Sequence, residues 1–342
     1  MTTKQSNIIT NIHPVTDNYR GENYWFNGCA AYVMEALAPK EKGESVWQTD
    51  YDYSLFAGVT GDNYTQIWPL DGMFRGYCAS DFISNAEYVV GIFDKIGYAA
   101  EYVTDKTQFT QKVVNSIDKN VPIICYGKTG GYPEGWTVIG GYEDDGSTFI
   151  HMATANYGEE KSSVSDVIAM IFVGDKVRDV PLARVYREAF ARLPKLLTTK
   201  TDEYVFGAQA FREWANFIER GGYDSIELTN NWEAYTNYVC VLATNGSCCY
   251  SFLEKAMELN PDLVFLSGIS ALYRKLGSAW GGESIPDEDC LEALGGGFNV
   301  TSETMNAPDK RLRIINKLRY CADISDEIVR MISEKMASEI AL

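Results

Sequence analysis

Histidine is scarce in this chain: His13 and His151 are the only two in 342 residues. That leaves few bases for nucleophilic chemistry and too few imidazoles for a usual zinc site. The eight cysteines (29, 78, 125, 240, 248, 249, 290 and 321) include no CxxC pair, so no metal is expected. Basic residues are also in deficit, 30 against 47 acidic ones, for a formal net charge of −17. Nucleic acid and anionic membrane surfaces both call for a basic footprint, so neither is an expected partner. No apolar run approaches the roughly 20 residues of a membrane span, and Met1-Thr-Thr-Lys-Gln-Ser-Asn7 lacks the apolar core of a secretion signal. The expectation is a cytoplasmic protein with reduced thiols, in which Cys248-Cys249 is core and sequons such as Asn245-Gly246-Ser247 mean little. Phosphate-binding loops are missing too. No lysine follows Gly58-Val-Thr-Gly61, and Gly295-Gly-Gly297 lacks the G-x-G-x-x-G spacing, so no cofactor is expected.

What is present is a globular composition, 46% hydrophobic and 23% charged, long enough for two cores. The first half alternates strand and helix signals. Residues 29–38, 86–96 and 106–119 read as helices, with Gly97 ending the second and Phe109, Val113, Val114 and Ile117 forming the apolar stripe of the third. Residues 98–103, 121–126 and 167–173 read as strands. Between them, Trp136–Tyr142 and Thr148–Ala153 flank the turn sequence Glu143-Asp-Asp-Gly-Ser147, a hairpin signal with glycine available for positive φ. From about 181 helices dominate: 181–197, 205–220, 231–243, 248–259, 261–276, 309–321 and 325–338, with a loop-rich 277–308 between them. Two domains are expected, 1–180 and 181–342.

The stretch Asn27-Gly28-Cys29-Ala30-Ala31-Tyr32 carries the chemistry. It places a cysteine on the first turn of a helix, where free N–H groups and the helix dipole favour thiolate over thiol. Asn23, six residues earlier, is a candidate oxyanion donor, and Asn27 a second candidate or a helix cap. The alternative for Cys29 is a small buried apolar residue. The aromatic-rich region Trp47–Trp68 has the composition of a pocket wall, with Asp62, Thr65 or Gln66 available to fix a ligand's orientation; the alternative is an irregular packed core. Trp25, Asp62, Tyr64, Gln66 and Trp136 are the candidate ligand-binding residues.

The order of these signals resembles the papain-like fold of bacteriocin-processing cysteine peptidases and of the butirosin-biosynthesis acyltransferase family. The likeness runs over roughly residues 20–160. It rests on the helix-borne Cys29, the strand opening at Gly97-Tyr98, the strand after Asn120 at Val121-Pro122-Ile123, and the hairpin Trp136-Thr-Val-Ile-Gly-Gly-Tyr142…Asp145-Gly146. It implies an α+β papain-like domain, here followed by a mostly helical one similar in kind to the second domain of the butirosin-type proteins. In the family a histidine stands directly before the tryptophan and acts as base. This chain has Gly135 there, which cannot take a proton, and loss of a positioned base commonly costs about 10²–10⁴ in rate. His151 falls at or beside the strand position where the family carries an Asp or Asn. It reads either as a relocated base, since a triad is set by geometry and not by sequence order, or as a core histidine sharing a strand face with Phe149. His13 reads as a surface residue.

Three functions follow from these residues. The first is a catalytically degenerate papain-like protein that binds a small molecule or peptide in the former cleft. The second is an active thiol enzyme using Cys29 with His151. By resemblance it would transfer an acyl group from a carrier-protein thioester or cleave a small peptide. The third is a scaffold whose helical half docks a partner protein.

Overall fold

The computed structural model describes residues 5–10, 25–37, 50–72, 86–129, 132–152, 160–228, 233–282 and 287–340. The first part of the chain carries helices α1 (Trp25–Leu37), α2 (Tyr53–Thr60), α3 (Ala86–Lys95) and α4 (Phe109–Ile117). Its strands are β1 (Asn7–Ile8), β2 (Ile67–Pro69), β3 (Tyr98–Val103), β4 (Ile123–Thr129), β5 (Tyr132–Glu143), β6 (Thr148–His151), β7 (Lys161–Ser163) and β8 (Val167–Lys176). Helix α5 (Leu182–Leu197) and strand β9 (Tyr204–Phe206) follow. Then come α6 (Gly207–Glu219), α7 (Glu233–Cys248), α8 (Tyr250–Leu259), α9 (Leu266–Trp280), α10 (Leu291–Leu294), α11 (Ser302–Asn306) and α12 (Pro308–Ile340). The architecture is mixed α and β, with an antiparallel sheet followed by a mostly helical region. No described helix is long and apolar enough to cross a membrane.

Two compact units form, one from Met1–Thr60 with Ser84–Pro181, the other from Gly61–Ile83 with Leu182–Leu342. The stretch from Gly61, expected with the first half, thus packs with the second. The reason is local: β2 finds its strand partner in β9, Ile67 opposite Phe206, and Gly207 N–H bonds the Gln66 carbonyl at 2.8 Å.

The first unit is built on a sheet of order β3-β8-β4-β5-β6-β7, with β1 pairing β5 where β4 has ended. Every neighbouring pair is antiparallel. Strand β4 buries Ile123, Ile124 and Cys125, and β5 buries Trp136, Val138, Ile139 and Tyr142. Helix α4 turns Phe109, Val113, Val114 and Ile117 inward, a stripe at helical spacing. The 3-10 turn before it is capped by Asp105, whose carboxylate accepts from Thr107 N–H at 3.0 Å. Gly97, φ 87°, ends the turn after α3. A Cβ there would sit on the Arg178 carbonyl, and the Gly97 carbonyl accepts from Val177 N–H at 2.8 Å. The Arg178 guanidinium binds the Asp94 carboxylate on α3, Nη2 to Oδ2 at 2.9 Å, and holds that carboxyl below its ordinary range.

The second unit has an aromatic core. Trp68 lies 4.4 Å from Tyr238 between ring centroids, and Trp214 lies 5.3 Å from Tyr235. Cys249 is fully buried in this unit, as the sequence led one to expect; the Cys248 side chain lies outside the described residues. Residues 309–338, expected as two helices, form the single helix α12. Ile314, Leu318, Cys321, Ser325, Ile328 and Ile332 recur on its buried face, and neither glycine nor proline interrupts it after Pro308.

Candidate functional site

Cys29 is one full turn inside α1, because Trp25–Gly28 precede it in the helix. Its amide is therefore past the group of free N–H donors at a helix start, and the dipole effect expected for the thiol fades with them. The side chain is 1% exposed. Burial drives the thiol far above its ordinary pKa, with only a small opposing pull from its own main chain. Cys125, on β4, is buried as well; burial raises its pKa first and the nearby Cys29 second. The thiol expected to be open and acidified is instead buried in the core, where burial disfavours the thiolate.

Helix α1 packs on the β4–β5 part of the sheet. Phe26 meets Trp136 edge-on at 5.0 Å, and Trp136 lies 4.9 Å from Tyr126 across the strands. Farther along, Tyr32 Oη reaches Met152 Sδ at 2.8 Å. The helix that bears the cysteine and the strand that begins near Trp136 are therefore brought together. Gly135, half-buried, faces Gly127 on β4, so this stretch of ladder has no side chain on either strand. Asn27 is completely buried within the helix. Its Oδ1 accepts from Thr60 Oγ1 at 3.2 Å, which ties α1 to α2, so it is neither a cap nor an exposed oxyanion donor.

His151 is fully buried at the end of β6. Its Nε2 pairs with Ser162 Oγ on β7 at 2.6 Å, and its Nδ1 has no hydrogen-bond partner among the described residues. Burial lowers the ring's pKa, against a weaker upward pull from Glu160 and Asp166. Cys29 is not among the groups that touch or perturb it, so the structure does not pair the thiol with this imidazole. A buried thiol and a ring engaged elsewhere do not make a nucleophile–base pair.

The remaining candidates divide. Asn23 lies outside the described residues. Trp25 opens α1, and its side chain lies outside them too. Asp62, Tyr64 and Gln66 belong to the second unit, 0%, 4% and 2% exposed. Tyr64 Oη donates to the Cys249 carbonyl at 3.2 Å, its own carbonyl accepts from Tyr273 Oη at 3.0 Å, and its ring packs 5.2 Å from Tyr273. Gln66 Nε2 donates to the Tyr238 carbonyl at 3.3 Å. These three are buried residues of a different unit from Cys29 and Trp136. An aromatic-rich stretch serves a pocket wall or a core equally well, and here the partners are other rings of the same unit.

Sequence reasoning missed Ser162, Phe26 and Tyr126. Phe26 was within reach, three residues before Cys29 on the same helix face; Tyr126 and Ser162 depend on strand register, which no local signal specifies. Among the described residues no group of three His, Cys, Asp or Glu is placed to hold a metal ion. No protein-family pattern matches the sequence, and comparison with curated proteins finds no match.

Proposed function

We propose that the first unit is a papain-like domain without thiol turnover, which binds a small molecule or peptide beside Trp136 rather than transforming it. One observation carries this reading: Cys29 is buried, which disfavours its thiolate, and His151 is engaged with Ser162, while the strand position of the family's base is Gly135. A buried thiol is a weak nucleophile, and among the described residues no base stands beside it to take the proton. The antiparallel sheet, the cysteine-bearing helix packed on β4 and β5, and the β5–β6 hairpin support the papain-like assignment. The partly open Tyr126 and Gly135 supply the approach, backed by the buried rings of Phe26 and Trp136.

The test is turnover by the intact chain. A simple acyl thioester and short peptides are offered to the unmodified protein, to Cys29→Ala and to His151→Ala. The expected result is background hydrolysis in all three. Robust activity that disappears in Cys29→Ala would overturn the reading, and its loss in His151→Ala as well would establish the active thiol enzyme in its place.

A further inference from the structure

We propose that His151 is a proton-sensitive latch that fastens the edge strand β7 to β6. Among the described residues strand β7 has one neighbour in the sheet, and three features join it to β6 near the ring: the ladder Thr148–Ile150 against Lys161–Ser163, His151 N–H to the Glu160 carbonyl at 2.9 Å, and the Nε2–Ser162 Oγ contact at 2.6 Å. The latch rests on the tautomer. With the proton on Nε2, the ring donates to Ser162 Oγ and leaves only a bare lone pair on the buried, partnerless Nδ1. Protonation turns Nδ1 into an N–H with no acceptor and puts a full charge in a site with no solvent exposure. Keeping the imidazolium buried costs more than moving it to water, so acid releases the ring and, with it, the side-chain tie to β7.

Charged groups near the ring temper this without reversing it. Glu160, directly before β7, and Asp166, in the 3-10 turn after it, both favour the imidazolium, but burial outweighs them. Asp166 is otherwise engaged, accepting from Ser163 N–H at 2.9 Å and from Ser163 Oγ at 2.7 Å, which caps the turn that follows β7. On β5, the residue opposite His151 is the apolar Ile139. Lys161 is drawn away to Glu143 at 2.7 Å. The strand that acid loosens is thus capped at its far end and held by the ring at its near end.

The sign follows from linkage. The folded ring has a pKa below the ordinary 6.5, so the unfolded or detached state binds the extra proton. The tie is complete above about pH 6.5, weakens as pH falls from there to the ring's lower folded value, and changes no further below it; the whole loss is about tenfold for each pH unit between those two values. The experiment is hydrogen exchange of amides 148–151 and 161–163, corrected for intrinsic rates, across that range, with the His151 ring titrated by NMR. With only two histidines the two ring signals are assigned by one His13→Gln variant. The expected result is protection of both strands falling in step with ring protonation in the unmodified protein and staying flat in His151→Gln. Ser162→Ala, which keeps the titrating ring, should start from lower protection and still lose more in acid. A fall unchanged in His151→Gln, no fall in the unmodified protein, or a ring that titrates at or above its ordinary value would overturn the latch.

Discussion

Gly135 faces Gly127 across the β4–β5 ladder, and neither residue has a side chain to offer the space beside Trp136. The pairing has a packing reason on the β4 side. A Cβ at Gly127 would stand 2.5 Å from the Asp166 carbonyl oxygen and 2.9 Å from Val167 Cα, both main-chain atoms that cannot turn aside. Strand β8 runs too close to β4 there for anything larger than glycine.

The Gly127→Ala variant should therefore be destabilised by about 1–3 kcal/mol, the range for overpacking against atoms that cannot repack. Urea denaturation of the two proteins measures it. A variant as stable as its parent would show that β8 can move off β4, and the close approach would lose its structural meaning.

Cys29 should resist alkylation. Buried at 1% exposure with its thiol pKa driven far upward, it should react with iodoacetamide at least about tenfold more slowly in the native protein than in urea at the same pH. Mass spectrometry of the labelled peptides reads this site by site. Native labelling as fast as that of the unfolded chain would return the thiol to an open cleft.

Tyr64 should behave as a core residue. Tyr64→Phe removes only the hydroxyl that donates to the Cys249 carbonyl at 3.2 Å, and the orphaned carbonyl makes the expected loss about 1 kcal/mol. A ligand found to bind beside Trp136 should keep its affinity in this variant, as isothermal titration would measure. A stable variant with weakened binding would restore Tyr64 to the ligand site.

Lys317 on α12, 7% exposed, donates to Asp289 at 2.8 Å and Asp287 at 3.2 Å. Its ammonium holds the Asp289 carboxyl below the ordinary 3.8, so this pairing stabilises the fold above that pH and is lost as pH falls through the lower folded value. Lys317→Met keeps the apolar stem and should cost only about 1 kcal/mol at neutral pH, because solvent screens the half-exposed carboxylates. Urea midpoints at pH 7 and about pH 3 should show the gap between the two proteins narrowing in acid.

Local pattern carried much of the secondary structure. Tyr98–Val103 is a strand because a helix-ending glycine precedes it, and Phe109–Ile117 is a helix because its apolar residues recur at helical spacing. Strand β7 escaped notice because Lys161-Ser-Ser163 has no apolar alternation, being an edge strand whose partner supplies the order. Helix α2 was missed because Tyr53–Thr60 is buried all round and shows no amphipathic stripe.

By itself the sequence determined that glycine, not histidine, stands directly before Trp136, and that Cys29 follows an Asn-Gly pair in a helix-forming stretch. It also determined where the antiparallel strands give way to helices. These are properties of residue type and short-range spacing, and no folding partner can alter them. Tertiary structure decided the rest. It carried Gly61–Gly72 into the second unit because β2 needs β9, sank Cys29 into the core because α1 lies against β4 and β5, and gave His151 to Ser162 instead of the thiol. Burial and register arise from contacts between residues far apart in the chain, and they set whether a thiol is exposed and which group an imidazole meets.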